Sequence, residues 1–322
     1  IMSRNACHAG SWYTNQRSQL DKELTQWLDE VPPTMEDGVP IPVPGARAII
    51  APHAGYSYSG PAAAFAYKCI NPDFVKRVFI LGPSHHVRLT KCALSQCSQY
   101  ETPLGNLMLD TEMIKELKQT GHFETMSREV DEEEHSIEMH LPYSYKILKS
   151  KIDSIKIIPV LVGSLTADKE IFYGQLFAPY LADPSNLFII SSDFCHWGHR
   201  FSYTYYSTPS DDAIYLSRRS DTPLTIPIYK SIENLDRRGM DLIEKINHKE
   251  FTSYLAKTKN TICGRHPIGV LLCAIEALPN YNNGNEKVDE SQQPRIRFIH
   301  YAQSSHVKHE GDSSVSYASA YV

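Results

Sequence analysis

The sequence predicts an α/β protein, a three-layer sandwich in which helices cover both faces of a central mixed sheet. Four short apolar runs, at 48–51, 77–81, 155–162 and 186–190, lack polar alternation and are typical of strands buried on both faces of a sheet. Helical patterns separate these runs along the chain. Strands that alternate with helices indicate layers, because each element must bury its apolar side against another one.

The other elements follow from apolar spacing and from chain-breaking residues. The first helix, 16–28, carries Leu20, Leu24 and Leu28 on one face. The second is predicted to begin at Pro61, because proline is tolerated in a first helical turn. The predicted helices after the first are 61–69, 111–120, 168–182, 232–246, 249–255 and one that is opened by 261–267 and ends before Pro279. Further strands are predicted at 92–95, 107–109, 296–301 and 315–322.

Residues 2–322 are predicted to form one domain with two loop insertions. The segment 31–45 is rich in proline, and the segment 279–294 is polar with few apolar residues. Both are therefore expected to be surface loops. Ile1 precedes Met2 and is left out of the fold prediction.

Composition argues against two classes of function. The chain has 322 residues, and its 32 basic and 37 acidic side chains give a net charge of -5, so it lacks the basic surface of a nucleic-acid-binding protein. No run of about 18 apolar residues is present, which argues against a membrane span. The first residues lack a secretory signal pattern, and the seven scattered cysteines contain no CxxC pair. We therefore expect reduced thiols and a cytoplasmic location, with the nucleus as a further compartment.

Three of the predicted strands end close to histidine. His53 follows the first strand, and His85 and His86 follow the second. His196 follows the strand that ends near position 190. Because the chemistry of an open α/β sheet gathers at the carboxyl ends of its strands, these positions predict one shared site.

His53 and His85 are the first two predicted ligands of a metal ion. The third is Asp193 or Cys263, each of which lies in a turn that presents its side chain. Two imidazoles with a carboxylate suit iron(II), whereas two imidazoles with a thiolate suit copper, and also iron or zinc. Cys263 is the stronger candidate for the third ligand, because it lies just before Arg265 and the start of a helix. Such surroundings favour a thiolate.

His196 has a different predicted role. Imidazole titrates near neutral pH, so His196 is a candidate general base, and Asp193 is a candidate to orient a ligand histidine. A Ser-His-Asp hydrolase built on Ser84, Ser191 or Ser192 agrees less well with the sequence, because no GxSxG motif is present. Phosphate-binding and dinucleotide-binding glycine motifs are also absent.

The acidic run 131–134 leads into His135, Glu138 and His140. The two histidines are five residues apart, so this is not the HExxH zinc motif, whose histidines share one face of a helix. Two interpretations remain open. The segment is a helix start whose carboxylates lie near the positive end of the helix dipole, or it supports the rim of the site.

Several longer segments carry a family resemblance. They are IIAPHAGYSYSG, FILGPSHH, DEEEHSIEMHLPY, LADPSNLF, SSDFCHWG, TICGRHPIGVLL and YAQSS. Together they resemble the Memo family, named for mediating cell motility downstream of receptor tyrosine kinases. The resemblance runs from CHAGSWYT to SSVSYA, nearly the whole chain.

The resemblance implies a fold similar to the class III extradiol dioxygenases, in which two histidines and a glutamate hold non-heme iron and another histidine acts as base. Matching the motifs places His53 and His85 at the two histidine-ligand positions and His196 at the base. Cys263 stands where those dioxygenases have glutamate, and a soft thiolate favours copper(I) and redox chemistry over ring cleavage. The predicted rim of the pocket comprises His86, His135, Glu138, His140, Arg265 and His266.

We therefore expect a Memo-family protein that binds iron(II) or copper and acts in redox or metal homeostasis linked to growth, motility or invasive-growth signalling. Memo proteins are described as binding phosphotyrosine peptides of receptors, so the resemblance also implies such peptides or other signalling proteins as partners. Two alternatives remain open: a non-catalytic adaptor that binds (phospho)peptides through a vestigial pocket, and a non-heme metal dioxygenase.

Overall fold

A computed structural model of the chain describes residues 2–209, 212–218, 223–281 and 293–322. The strands of these residues are β1 (Ser3–Arg4), β2 (Ala48–Ala51), β3 (Arg77–Pro83), β4 (Cys92–Leu94), β5 (Gln99–Tyr100), β6 (Leu107–Leu109), β7 (Phe123–Thr125), β8 (Lys156–Val162), β9 (Asn186–Ser191), β10 (His196–Trp197), β11 (Tyr205–Tyr206), β12 (Ile214–Tyr215), β13 (Arg297–Gln303) and β14 (Ser314–Tyr321). The α-helices are α1 (Arg17–Asp29), α2 (Tyr56–Lys68), α3 (Thr111–Gln119), α4 (Arg128–Glu133), α5 (His135–Glu138), α6 (Leu141–Leu148), α7 (Ala167–Ala182), α8 (Ile228–Glu244), α9 (His248–Thr258) and α10 (Arg265–Glu276). Short 3-10 helices span Pro72–Phe74, Lys149–Ser154 and His199–Phe201.

Twelve of the described strands form one mixed sheet, and β11 and β12 form a separate pair. The main path of the sheet has the order β1-β5-β6-β8-β3-β9-β2-β14-β10, with β4, β7 and β13 attached beside it. The strands β8, β3, β9 and β2 are parallel neighbours, and β14 runs antiparallel to β2. The predicted central mixed sheet is therefore confirmed.

The apolar runs form the centre of this sheet because their side chains are buried on both faces. Every residue of β2 and β9 is buried, and β3 is buried from Val78 onward. β9 lies between β2 and β3, and the Phe79 ring of β3 stacks on Phe188 of β9 with 4.6 Å between centroids. The strands that end close to histidine are thus held side by side, with their carboxyl ends at one edge.

Helices cover both faces of the sheet. Phe79 points towards α7, where its ring lies 6.1 Å from that of Phe177, and α7 packs along α10 on that face. Gly82 lies three positions further along β3, so it faces the opposite layer, and a Cβ there would lie 2.5 Å from the Ser136 Oγ of α5. On this side α5 adjoins α6, which packs against α1 and α2. The three-layer sandwich is therefore confirmed.

The helix α2 begins five residues earlier than predicted. The sequence predicts a start at Pro61, but the helix begins at Tyr56 and Pro61 lies inside it. Tyr56 is buried, and its hydroxyl donates a hydrogen bond to the Met139 carbonyl oxygen at 2.5 Å. Since this contact anchors the first turn to the neighbouring layer, tertiary packing outweighs the local preference of proline for a helix start.

The structure describes the first of the two predicted loop insertions in full. The segment 31–45 contains no helix or strand, yet Val31 and Val43 are buried against the core. Of the second, 279–294, residues 282–292 lie outside the described residues.

None of the seven cysteines, all of them described, forms a disulfide. Five are buried, Cys263 is half-buried and Cys7 is exposed. Across the described residues, no helix combines the length and the apolar content that crossing a membrane requires.

The variant Gly174→Ala tests the close packing of α7 on α10. A Cβ at Gly174 would lie 2.4 Å from the Cys273 Cβ and 2.7 Å from the Cys273 backbone carbon, so the helices must move apart. We expect the free energy of unfolding to fall by about 1–3 kcal/mol, although alanine is the better helix former by about 1 kcal/mol. Urea denaturation measures the change. The control is Gly311→Ala, whose Cβ would meet no atom within 4 Å, and equal stability of the two variants would contradict this packing.

Candidate metal centre

The candidate site lies where the strands β2, β3 and β9 end. His53 follows β2, His85 follows β3 and Asp193 follows β9. Cys263 comes from the turn before α10, and Gly264 allows this turn to approach the sheet. A Cβ at Gly264 would lie 2.3 Å from the carbonyl oxygen of the last residue of β9, so only glycine fits there. The close approach presents the thiol to the strand ends.

His53, Asp193 and Cys263 form one group of metal-binding atoms. The His53 Nε2 lies 3.3 Å from the Cys263 Sγ and 3.9 Å from the Asp193 Oδ2, and all three ligand atoms lie within 4.8 Å of one another. Asp193 also fixes the loop of His53, because its Oδ1 accepts a hydrogen bond from the His53 backbone N–H at 2.8 Å. Both candidates for the third ligand therefore lie beside His53.

A buried hydrogen-bond network determines which nitrogen of His53 faces this group. The Ser191 Oγ donates its one proton to the Ser136 carbonyl oxygen at 2.7 Å. It can therefore only accept from the His53 Nδ1, at 2.7 Å, and from the His140 Nε2, at 2.8 Å. The other nitrogen of His140 accepts from the Tyr67 hydroxyl, at 2.5 Å, as this assignment requires. The His53 proton is thus on Nδ1, and Nε2 offers its lone pair towards the thiol.

His53 also belongs to a second group, with His85 and His135. One nitrogen of each ring lies within 4.8 Å of the others, and the His85 and His135 rings stack with centroids 4.2 Å apart. The His135 Nδ1 is buried and has no hydrogen-bond partner among the described residues. The structure therefore divides the predicted ligands between two groups that share His53, one with Cys263 and one with His85.

Glu134 positions His85, a role that the sequence analysis missed. Its Oε1 accepts a hydrogen bond from the His85 Nδ1–H at 2.8 Å, and its Oε2 accepts one from the His85 backbone N–H at 2.7 Å. Burial alone would raise the pKa of this carboxyl, but the hydrogen bonds from His85 and the electrostatic attraction to it lower the pKa to about 2. Histidines that bind metals often pair their other nitrogen with a carboxylate in this way. The only signal in the sequence was the acidic run, which the helix dipole also explains.

Glu138 and His140 are both fully buried. Glu138 accepts hydrogen bonds from the Arg4 Nη1 at 2.7 Å and from the Tyr13 hydroxyl at 2.9 Å. It also accepts from the backbone N–H of His8 at 2.8 Å and lies 2.7 Å from the Nδ1 of that ring. Glu138 therefore fastens the N-terminal segment to α5, while His140 contacts the site through the buried network.

His196 carries its ring proton on Nδ1. This nitrogen lies 2.9 Å from the Phe194 carbonyl oxygen and 3.0 Å from the Thr261 carbonyl oxygen, and because both oxygens only accept, it must donate. The backbone N–H of His196 donates to the Thr261 Oγ1 at 2.7 Å. In the neutral tautomer with this Nδ1 proton, the lone pair is on Nε2, which is the atom that a general base would use.

The other residues predicted at the rim lie in two places. The exposed His86 ring meets His135 edge-on with 5.9 Å between centroids. Arg265 and His266 line a separate cavity of about 460 Å³ between α7, α9 and α10. His86 is thus close to the histidine group, whereas Arg265 and His266 face a different opening.

The Cys263 thiol is protonated in the metal-free protein. Burial and the nearby Asp193 raise its pKa. Arg265, which was expected to favour a thiolate, instead donates a hydrogen bond to the Ile262 carbonyl oxygen at 3.3 Å. Burial also lowers the pKa of His53 well below its usual value, so this imidazole is neutral. Cys263 would therefore have to lose its proton to serve as a metal ligand, whereas His53 is already in its ligand form.

The donor set fits a transition-metal ion. It offers imidazole nitrogen, one cysteine sulfur and one carboxylate oxygen, which iron and copper accept. The Nδ1 of His135 adds a buried polar atom that has no hydrogen-bond partner among the described residues and lies 3.7 Å from the Glu134 Oε1. His85 is exposed, so the second group, of His53, His85 and His135, is open to an ion from solvent.

These features define an α/β protein whose candidate metal ligands lie at the carboxyl edge of a parallel set of strands. A family model described as Memo-like protein matches residues 4–321, so the chain belongs to the Memo-like family. The resemblance carried by the motifs is therefore confirmed.

Two relatives show how similar the chain is to named proteins. It is 50% identical to Protein MEMO1 of Homo sapiens over 318 residues, which are 99% of this chain and 96% of that protein. It is 48% identical to Protein memo-1 homolog of Caenorhabditis elegans over 317 residues, which are 98% of this chain and 81% of that protein. Among solved structures, an uncharacterized protein from Escherichia coli K12 aligns with a TM-score of 0.41 and 11% sequence identity. The alignment covers 85% of this chain and 99% of that chain. This similarity is too distant to bear on function.

Acid is expected to destabilise the metal-free protein through its buried histidines. Burial lowers the pKa of His140 to about 3, and burial and the nearby His85 do the same for His135. In the unfolded chain both titrate near 6.5, so the unfolded state binds protons first as the pH falls. The free energy of unfolding then drops between about pH 6.5 and 3, by up to about 1.4 kcal/mol per pH unit for each histidine.

Urea denaturation between about pH 7 and 5 measures this slope. The variant for comparison is His140→Gln, which keeps an acceptor for Tyr67 and a donor for Ser191 but does not titrate. We expect its slope to be smaller by up to about 1.4 kcal/mol per pH unit. A slope equal to that of the wild type would show that His140 is not held neutral by burial.

Proposed function

We propose that this protein binds iron(II) or copper through His53, His85 and Cys263, and that it acts in redox or metal homeostasis. The observation that carries the proposal is the pairing of His53 with Cys263, whose Nε2 and Sγ atoms lie 3.3 Å apart. The His53 lone pair is held towards the sulfur by the hydrogen bond of its Nδ1–H to Ser191. An imidazole fixed in this tautomer beside a thiol is an arrangement suited to a metal ion.

Each proposed ligand is supported by its own neighbours. Ser191 orients His53, and Glu134 orients His85 through both the ring and the backbone. The tight turn before α10 places Cys263. Side chains that are already oriented lose less conformational entropy when they bind an ion, which favours affinity.

A bound iron or copper ion supplies Lewis acidity and redox activity. Around it, the proposed role of His196 is to accept or return a proton at its free Nε2. Asp193 keeps the His53 loop in place through the backbone hydrogen bond. A soft thiolate among the ligands argues against ring cleavage of a catechol and favours redox or metal-handling chemistry.

The cellular part of the proposal rests on membership of the Memo-like family. We propose that metal binding links redox or metal homeostasis to growth and motility signalling in the cytoplasm and nucleus. Signalling proteins or phosphotyrosine peptides are the partners that the family resemblance implies.

Anaerobic titration of the metal-free protein with iron(II), and separately with copper(I), tests the proposed site. We expect one ion to bind per chain. The variants Cys263→Ser and His85→Ala are each expected to weaken binding by about 100-fold or more, because each removes a ligand atom. Isothermal titration calorimetry measures the stoichiometry and the affinity.

Matched controls show whether weaker binding comes from losing a metal ligand or from losing any cysteine or histidine. Cys7→Ser removes an exposed thiol, and His266→Gln removes an imidazole that is paired with Glu170 in another cavity. Both variants are expected to bind like the wild type. If neither metal binds, or if all variants bind equally well, the metal site is refuted and the adaptor that binds peptides becomes the better hypothesis.

Binding is also expected to release about one proton per ion near neutral pH, because Cys263 is a thiol and His53 is neutral before the ion arrives. The affinity then rises by about tenfold per pH unit between about pH 6 and 8. Calorimetry in buffers of different ionisation enthalpy counts the protons. The variant Cys263→Ser is expected to release none, and a wild-type protein that binds metal without releasing a proton would show that the thiol is not a ligand.

A further inference from the structure

The cavity between α7, α9 and α10 has two chemically different walls. Its volume of about 460 Å³ is large enough for a small organic molecule. The apolar wall includes Leu165, Phe251 and Leu255. The polar wall includes Lys259, Asn260 and Arg265. Such a cavity suits a ligand with one apolar part and one polar part.

The polar wall has an excess of positive charge. Neither Lys259 nor Arg265 forms an ion pair with any residue in the described ranges, and the Arg265 Nη1 donates only to a backbone carbonyl oxygen. The lining contains one described acidic residue, Glu170, which lies 2.6 Å from the His266 Nδ1 and 2.6 Å from the His248 Nε2. Because two imidazoles already partner this carboxylate, the lysine and the arginine favour an anion from solution.

Asn260 lines the cavity and has one hydrogen-bond acceptor without a partner among the described residues. Its Nδ2 donates to the Asp236 Oδ1 at 3.0 Å and to the Tyr254 hydroxyl oxygen at 2.9 Å. The same Asp236 oxygen accepts the Cys195 backbone N–H at 3.2 Å, so it is an acceptor and the amide of Asn260 cannot be flipped. The Asn260 Oδ1 is left buried and without a hydrogen-bond partner in the part of the chain that the structure describes. Because this oxygen is closed to solvent, the N–H or O–H group of a ligand would reach it once the lining shifts.

We propose that this cavity binds a small amphipathic carboxylic acid. Its apolar group packs against Phe251 and Leu255, its carboxylate is bound by Lys259 and Arg265, and its N–H group donates to Asn260. The start of α10 at Arg265 adds the positive end of a helix dipole to the same wall. N-acyl amino acids with a large apolar side chain combine an apolar group, a carboxylate and an N–H group. The site is separate from the metal centre, and the inference does not depend on the proposed function.

N-acetyl-L-phenylalanine is the probe for this site, and N-acetyl-L-phenylalaninamide is its uncharged match. Calorimetric or NMR titration of the full chain measures both. We expect saturable binding of the acid with a Kd of about 1 mM or below, and binding of the amide that is about tenfold weaker because it lacks the charge. A third probe, 3-phenylpropanoate, keeps the ring and the carboxylate but lacks the N–H donor, and it is expected to bind about fivefold more weakly than the acid.

Charge-removing variants locate the site. Lys259→Gln and Arg265→Gln are each expected to weaken binding of the acid by about tenfold. Lys257→Gln removes the same charge one residue before the end of α9 but does not line the cavity, so it is expected to bind like the wild type. Lys259 is exposed, so its variant keeps the test valid if Arg265→Gln fails to fold. Equal binding of the acid and the amide, equal affinity of Lys259→Gln and Lys257→Gln, or no saturable binding up to about 10 mM would each overturn the proposal.

Discussion

The direction of a single hydroxyl proton, that of Ser191, determines the chemistry of the strand ends. Because this proton is donated to the Ser136 carbonyl oxygen, the Ser191 oxygen must accept from both His53 and His140. Three hydrogen bonds at one buried oxygen join β9 to α5 and to the loop after β2. They fix the His53 tautomer at the last residue of a central strand. The donor properties of the site therefore depend on the packing of the sheet itself.

The sequence was sufficient to predict those parts of the fold that depend on local patterns of residues. The runs that became β2, β3 and β9 are apolar without alternation, which is a property of a few consecutive residues, and the histidines beside them could be found in the same way. The start of α2 could not be predicted. It depends on a hydrogen bond between Tyr56 and Met139, which are 83 residues apart in the chain. No local pattern contains a contact of that separation.

In the candidate site too, some features could be predicted from local sequence and others could not. His53, His85 and Cys263 could be proposed as candidate metal ligands from their types and positions, but the groups that orient them could not be predicted. Glu134 is 49 residues from His85, and Ser191 is 138 residues from His53. The protonation state of Cys263 could not be predicted from the sequence either. Arg265 is close to Cys263 in the chain, but its guanidinium donates to the Ile262 carbonyl oxygen instead of pairing with the thiol. Burial decides the pKa of the thiol, and burial is a property of the whole fold.

The turn that carries Cys263 has little freedom to move relative to the sheet. The Gly264 backbone N–H donates to the Ser192 Oγ at 2.9 Å, and no space exists there for even a methyl group. The turn is therefore packed directly against the end of β9. On the proposal that a metal ion binds here, its capture would need no loop closure, so the association rate would depend on how quickly the ion sheds its water and the thiol loses its proton. Such a site would exchange ions with a donor molecule without opening the fold.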